Sequence, residues 1–142
     1  MQVIPVTSKF SIALDVTADA AARARALGFQ SVIGLAPDEE AEGPRPSDLI
    51  RNAVEAEGVS FAHQPVVIGL IDDSDIDAFA ARLNAASGPV LAYCRSGLRA
   101  ALMWALAEKP KLGEAAVIDI AARAGFDIAA YVGDDSEALL AA

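Results

Sequence analysis

The residues best able to do chemistry lie together in Cys94-Arg95-Ser96-Gly97-Leu98-Arg99. An apolar run, Val90-Leu91-Ala92-Tyr93, leads into them, and a helix-forming stretch beginning Ala100-Ala101-Leu102 follows. That order reads as strand, tight loop and helix. It places the loop at the carboxyl end of a strand, where open α/β sheets hold their ligands. Backbone N–H groups curling into a helix N-terminus make an anion cradle, and Gly97 lets the chain turn tightly enough to form one. A thiol at its centre feels the helix dipole and two guanidinium groups. Both favour thiolate, so Cys94 is expected to be nucleophilic near neutral pH. Arg99 can fork onto two oxygens of a bound oxyanion, with Arg95, Ser96, Gly97 and Leu98 as the anion-binding loop. The plainer reading is a small buried cysteine beside two surface arginines. Against it, two cations at a positive helix end cost about 0.3–1 kcal/mol each unless an anion offsets them.

The elements that must position this loop follow a repeating pattern of Ala-rich helical run, Gly and apolar segment. Thr17 is placed to cap a helix through Leu27, with Ser31–Leu35 as the strand after it. Ser47 is placed to cap a helix through Glu57, followed by a strand at Val59–His63. Ser74, Asp72 or Asp73 caps a helix through Ala86, followed by a strand at Pro89–Tyr93. A short strand near Phe10–Leu14 opens the sheet. After Tyr93 the chain is expected to be helical through Glu108, to break at Pro110 and to resume as a helix over Gly113–Ala124. A last short helix is expected in Asp134–Ala142. Strands alternating with helices predict an α/β domain with a mainly parallel central sheet covered by helices on both faces.

Length and composition narrow the class. The 142 residues are expected to form a single domain over 1–142. Hydrophobic residues make up 54%, but 32 residues are Ala. The longest wholly apolar stretch, Ala100–Ala107, is far below the ~18–20 residues of a membrane span. The start, Met1-Gln2-Val3-Ile4-Pro5, lacks the basic and apolar regions of a secretory signal, so a cytoplasmic location is expected. The net charge of −9 is opposite to what nucleic acid or an anionic membrane would select. One cysteine and one histidine provide no internal disulfide and no Cys/His zinc cluster. Neither a metal nor an organic cofactor is expected. The expected partner is a small anionic substrate: thiosulfate, a persulfide or a phosphoester.

Together with Gly28-Phe29, Ser31-Val32-Ile33, Pro37-Asp38, His63-Gln64-Pro65-Val66 and Gly88 through Gly97, the loop gives the chain a family likeness. From Phe10 to Tyr131 it resembles the phosphatase-like domain of the bacterial beta-lactamase hydrolase-like proteins. The loop itself resembles both the Cys-x5-Arg loop of cysteine-dependent phosphatases and the six-residue loop of rhodanese sulfurtransferases. The resemblance implies a dual-specificity-phosphatase-like fold, with Cys94 as nucleophile and the loop through Arg99 as anion binder. The chain departs from the family in two ways. Ala36 stands where it usually has Arg, removing a cation that would face the site. Leu98 and Ala100 stand where it tends to carry hydroxyl residues, removing a group that could assist a leaving atom.

Loop length bears on the chemistry. Phosphatases place five residues between Cys and Arg, and this chain places four, as in the rhodanese loop. Phosphatases also want a histidine before the Cys, where Tyr93 stands, and an aspartic acid on a separate loop. Asp72 and Asp73 are the candidate acids, although helix capping is their commoner use. Sulfur transfer needs only an accessible thiolate and an external thiol acceptor. The expectation is therefore a sulfurtransferase working through a Cys94 persulfide. The alternative is a phosphatase working through a Cys94 phosphocysteine, and a third reading is a non-catalytic anion-binding module. His63 is expected to be structural, hydrogen-bonded at its strand end. Met103, Trp104 and Leu106 are expected in the core, and the acidic run Asp38–Glu42 in a solvated loop that rims the site.

Overall fold

A computed structural model of the chain describes residues 1–41 and 45–133. Its five strands are β1 (Gln2–Pro5), β2 (Phe10–Leu14), β3 (Ser31–Gly34), β4 (Ser60–His63) and β5 (Val90–Tyr93). They lie in the order β1-β2-β5-β3-β4. β2, β5, β3 and β4 run parallel, and β1 pairs antiparallel with the outer edge of β2. The strand that carries the cysteine is thus the middle of the sheet, and all four of its residues are buried. Parallel neighbours on both sides explain why Val90–Tyr93 is a continuous apolar run rather than an alternating one.

The helices are α1 (Ala21–Ala26), α2 (Pro46–Ala56), α3 (Asp73–Ala85), α4 (Leu98–Leu112), α5 (Glu114–Arg123) and α6 (Ala129–Val132). Alternate strand residues point to opposite faces, which builds two cores. Ala13, Val32, Phe61, Leu91 and Tyr93 meet Ala21 and Ala24 of α1 and Ile50 and Val54 of α2. Phe10, Ile12, Ile33 and Ala92 meet Phe79 of α3, the whole buried run Ala100–Ala107 of α4, and Val117 and Ala121 of α5. Met103 and Trp104 belong to that core at 0% and 2% exposure, as expected of a helix with no polar face. The α/β architecture with a mainly parallel, doubly covered sheet is the one the sequence predicts.

Several boundaries differ. α4 runs through Pro110 to Leu112 instead of breaking at it. The proline forfeits one helical bond, that to Leu106, in a turn that ends within three residues, so the local cost is small. Thr17 makes no side-chain cap, and a 3-10 turn at Ala18–Ala20 precedes a short α1. Ser47 does not cap α2; the helix opens on Pro46, whose fixed φ suits a first position, and the Ser47 hydroxyl is used elsewhere. β1 and α6 are additional elements, and the helix expected at Asp134–Ala142 lies outside the described residues. No helix among the described residues is long and apolar enough to cross a membrane.

Candidate active site

Cys94 is the first residue beyond β5, and α4 begins four residues later. The sulfur is nearly enclosed, the residue being 6% exposed. The Gly97 N–H donates to Cys94 Sγ at 3.1 Å, so the first free amide of α4 already points at the reactive atom. Gly97 has φ 87°. A side chain there would be strained in the backbone, and its Cβ would fall 2.7 Å from the Phe126 ring and 3.1 Å from Leu14. We expect Gly97→Ala to lower stability by about 1–3 kcal/mol, read as a drop in the urea midpoint. Ser96 Oγ accepts the Leu98 N–H at 3.4 Å, which orders the rest of the turn.

Arg99 lies in the first turn of α4, and its guanidinium is tied down by two residues from distant segments. Nη1 and Nη2 donate to the two Glu40 oxygens at 2.7 and 2.8 Å, and Nη1 also donates to the Val66 carbonyl at 3.0 Å. Three of the five guanidinium N–H groups are therefore used. The remaining two, on Nε and Nη2, share one edge and form a second fork. The Glu40 bond raises the Arg99 pKa further, burial works against this, and the charges of Glu40 and Cys94 add to the rise. The two cations of the loop thus do not rely on an external anion alone, because Glu40 supplies part of the negative charge from within the protein.

Cys94 opens into a cleft of about 490 Å³. Its walls come from the residues after β2 (Asp15, Val16), the segment after β3 (Ala36–Asp38, Glu40, Ala41), the start of α2 (Pro46, Ser47, Ile50) and the cysteine loop (Tyr93, Arg95). The stretch Asp38–Glu40, a 3-10 turn, is anchored at both ends instead of lying free in solvent. Asp38 accepts the Ser47 N–H at 2.9 Å, the Ser47 hydroxyl at 2.5 Å and Arg45 Nε at 3.2 Å. His63 Nε2–H donates to the Ala36 carbonyl at 2.9 Å, and its Nδ1 stands 4.0 Å from Asp38. A carbonyl only accepts, so the proton sits on Nε2. His63 is a brace for the cleft wall, as expected. Ala36, where the family likeness would place a cation, holds the wall by its backbone.

Burial alone would push the Asp38 carboxyl up, but the Ser47 hydroxyl and amide, Arg45 and His63 outweigh it and bring it below its ordinary 3.8. The Arg99 bond holds Glu40 below its ordinary 4.5; burial opposes this, and the Arg99 and Arg95 charges reinforce it. Burial, with the Asp38 charge beside it, pushes the Tyr93 phenol well above its usual range, so Tyr93 faces the cleft un-ionised. Depressed carboxyls bind fewer protons in the fold than in the unfolded chain. The stability they confer is complete above their ordinary values and is lost as pH falls through them. Stability against urea should decline as pH drops below 4.5, and less steeply in Glu40→Gln.

Asp72 is placed elsewhere. It caps α3, accepting the Asp75 N–H at 3.0 Å while Asp75 returns a bond to the Asp72 amide. The Ser74 hydroxyl, then the Asp75 amide, hold its carboxyl below the usual value. Neither Asp72 nor Asp73 is among the residues lining the cleft. A hollow of similar size lies at the opposite edge of the sheet, bounded by Lys9, Trp104 and Lys111. It carries no cysteine and sits at the amino ends of the strands. Among the described residues no three His, Cys, Asp or Glu side chains converge as a metal site.

The model of the phosphatase-like domain of beta-lactamase hydrolase-like proteins matches residues 2–111. The chain belongs to this family. A beta-lactamase hydrolase-like protein of Agrobacterium fabrum is 33% identical over 107 residues, covering 74% of this chain and 25% of the relative. The chain thus spans about a quarter of the length of the curated relatives it matches. A candidate phosphatase from Neisseria meningitidis superposes with a TM-score of 0.79 at 29% identity, covering 98% of this chain and 96% of the other. P. aeruginosa TpbA, solved as a cysteine-to-serine variant in complex with phosphotyrosine, shares the fold at a TM-score of 0.67 and 19% identity, covering 97% of this chain and 82% of the other. Fold and family make the chain a phosphatase-like hydrolase, and they favour phosphoester chemistry over the sulfur transfer expected from the loop spacing. That expectation rested on the four residues between Cys94 and Arg99, on Tyr93 in place of a histidine, and on candidate acids whose commoner use is helix capping. Arg99 approaches from the first turn of α4, so loop length by itself does not select the reaction.

Proposed function

We propose that the chain is a cysteine-dependent phosphoester hydrolase acting through a phosphocysteine on Cys94. The observation that carries this reading is the pairing of Cys94 Sγ with the Gly97 N–H at the start of α4, one turn from an anchored Arg99. The Cys94 thiolate attacks phosphorus, the S–P bond forms, and the P–O bond to the alcohol breaks with its electron pair leaving on oxygen. Water then attacks the same phosphorus, the S–P bond breaks, and inorganic phosphate departs. The free edge of Arg99 and the amides of the Arg95–Leu98 loop are suited to the equatorial oxygens, whose charge they stabilise where it develops. The cleft's apolar walls, Val16, Pro37 and Ile50, suit a flat body, so an aryl monoester such as phosphotyrosine is the proposed substrate class.

The test is release of inorganic phosphate from a phosphotyrosine peptide, with intact mass recorded during turnover. A transient gain of one PO3 unit on the wild-type chain, absent in Cys94→Ser, is expected. A gain of one sulfur from thiosulfate or glutathione persulfide, with no phosphate released from any ester, would replace this reading with the persulfide one.

A further inference from the structure

Departure of the alcohol requires a proton, and the site presents three carboxylates from which it could come. Asp15, Asp38 and Glu40 all line the Cys94 cleft. Asp38 is held by Ser47 and Arg45, and Glu40 lies in the fork of Arg99. Both carboxylates are engaged by those partners and turned toward them, which leaves neither free to reach a leaving oxygen. Asp15 alone of the three has no such partner among the described residues.

The position of Asp15 is set by the sheet. β2 and β5 pair in parallel with Ala13 opposite Tyr93. Leu14, the last residue of β2, therefore lies level with Cys94, and Asp15 follows it at the carboxyl end of the sheet, level with Arg95. The Leu14 side chain packs under the Gly97 turn, at the same end of the sheet. Asp15 is also the one non-glycine among the described residues with positive φ, 57°. Aspartate is one of the few side chains that tolerates this conformation. Glycine would take it at no steric cost, yet the chain puts a carboxyl there, at the mouth of the cleft.

We propose that Asp15 is the general acid of the reaction, donating its proton to the leaving oxygen as the P–O bond breaks and acting as base toward water in the second step. This role rests on the phosphoester reading above. The experiment compares phenyl phosphate, a poor leaving group, with 2,4-dinitrophenyl phosphate, which departs without protonation. Asp15→Asn is expected to lower kcat on phenyl phosphate by about a hundredfold or more, with the loss shrinking to within about threefold on the dinitrophenyl ester. Asp15→Gly, which relaxes the backbone, should behave the same way and so separates a lost proton from a strained turn.

Equal losses on both esters, or none on either, would overturn the assignment. So would the leaving-group-selective loss appearing in Asp72→Asn instead. A wild-type chain that cleaves neither ester would remove the phosphatase reading itself, and the role with it.

Discussion

Cys94→Ser is expected to abolish turnover of an aryl phosphate, by about ten-thousand-fold or more, without unfolding the chain. A serine hydroxyl stays un-ionised where a thiolate forms, so it is a far weaker nucleophile in the same place. The fold should tolerate the change because the side chains are alike in size and the Gly97 N–H that donates to sulfur can donate to oxygen. The binding half of the site is untouched. Inorganic phosphate or an unreacted ester should still bind, with affinity within a few-fold of wild type by calorimetry. Retained turnover in the serine variant would exclude every covalent route through Cys94. Loss of binding together with turnover would indicate that the sulfur itself shapes the loop.

Arg99→Lys is expected to reduce kcat by about a hundred- to a thousandfold, the cost typical of losing a donor aimed at transition-state charge. An ammonium is a point charge with three rotatable donors, whereas the guanidinium offers two planar forks at once. Here one fork and a further N–H are spent on Glu40 and Val66, and only the planar geometry leaves the second fork oriented and rigid. A lysine can satisfy Glu40 or an oxyanion, but not both. Glu40→Gln keeps the shape and removes the charge. It should cost about tenfold, with the loss in kcat rather than KM, because it loosens the arginine without removing it. Steady-state kinetics on one aryl ester for both variants checks the order. If Glu40→Gln instead raised kcat, Glu40 would be competing with the substrate for Arg99.

The parts of this molecule legible in its sequence are those with a local cause. Val90–Tyr93 reads as a central strand because every residue in it is apolar, and Ala100–Ala107 reads as a buried helix for the same reason. Gly97 stands out because a glycine between them lets the chain turn tightly. The likeness to the phosphatase-like family rests on these same residues. What could not be read is pairing across long separations. Glu40 and Arg99 are 59 positions apart, and nothing local distinguishes Glu40 from Glu39. Asp38 reads as part of a solvated acidic run because its partner Ser47 reads as a helix cap and its partner Arg45 carries no signal of its own. Asp72 was drawn toward the chemistry by its type, while its position before an α-helix already favoured the cap it makes. Asp15 was overlooked because a single aspartate after a strand is an ordinary turn residue. Its significance appears only when β2 is seen to lie beside β5.

The Glu40–Arg99 pair divides the electrostatics of this protein into two regimes with different responses to ionic strength. The Arg99 side chain is 13% exposed and that of Glu40 29%, so added salt weakens their direct fork far less than it weakens charges acting across open solvent. The excess of acidic residues, −9 over the chain, acts through solvent and is screened beyond about 8–10 Å at physiological ionic strength. A dianionic ester approaching the cleft meets the second regime first and the first regime last. Raising salt should therefore lower KM by weakening the repulsion met on the way in, while kcat, set inside the cleft, stays flat. The substrate's arrival is open to the medium, and its reaction is insulated from it.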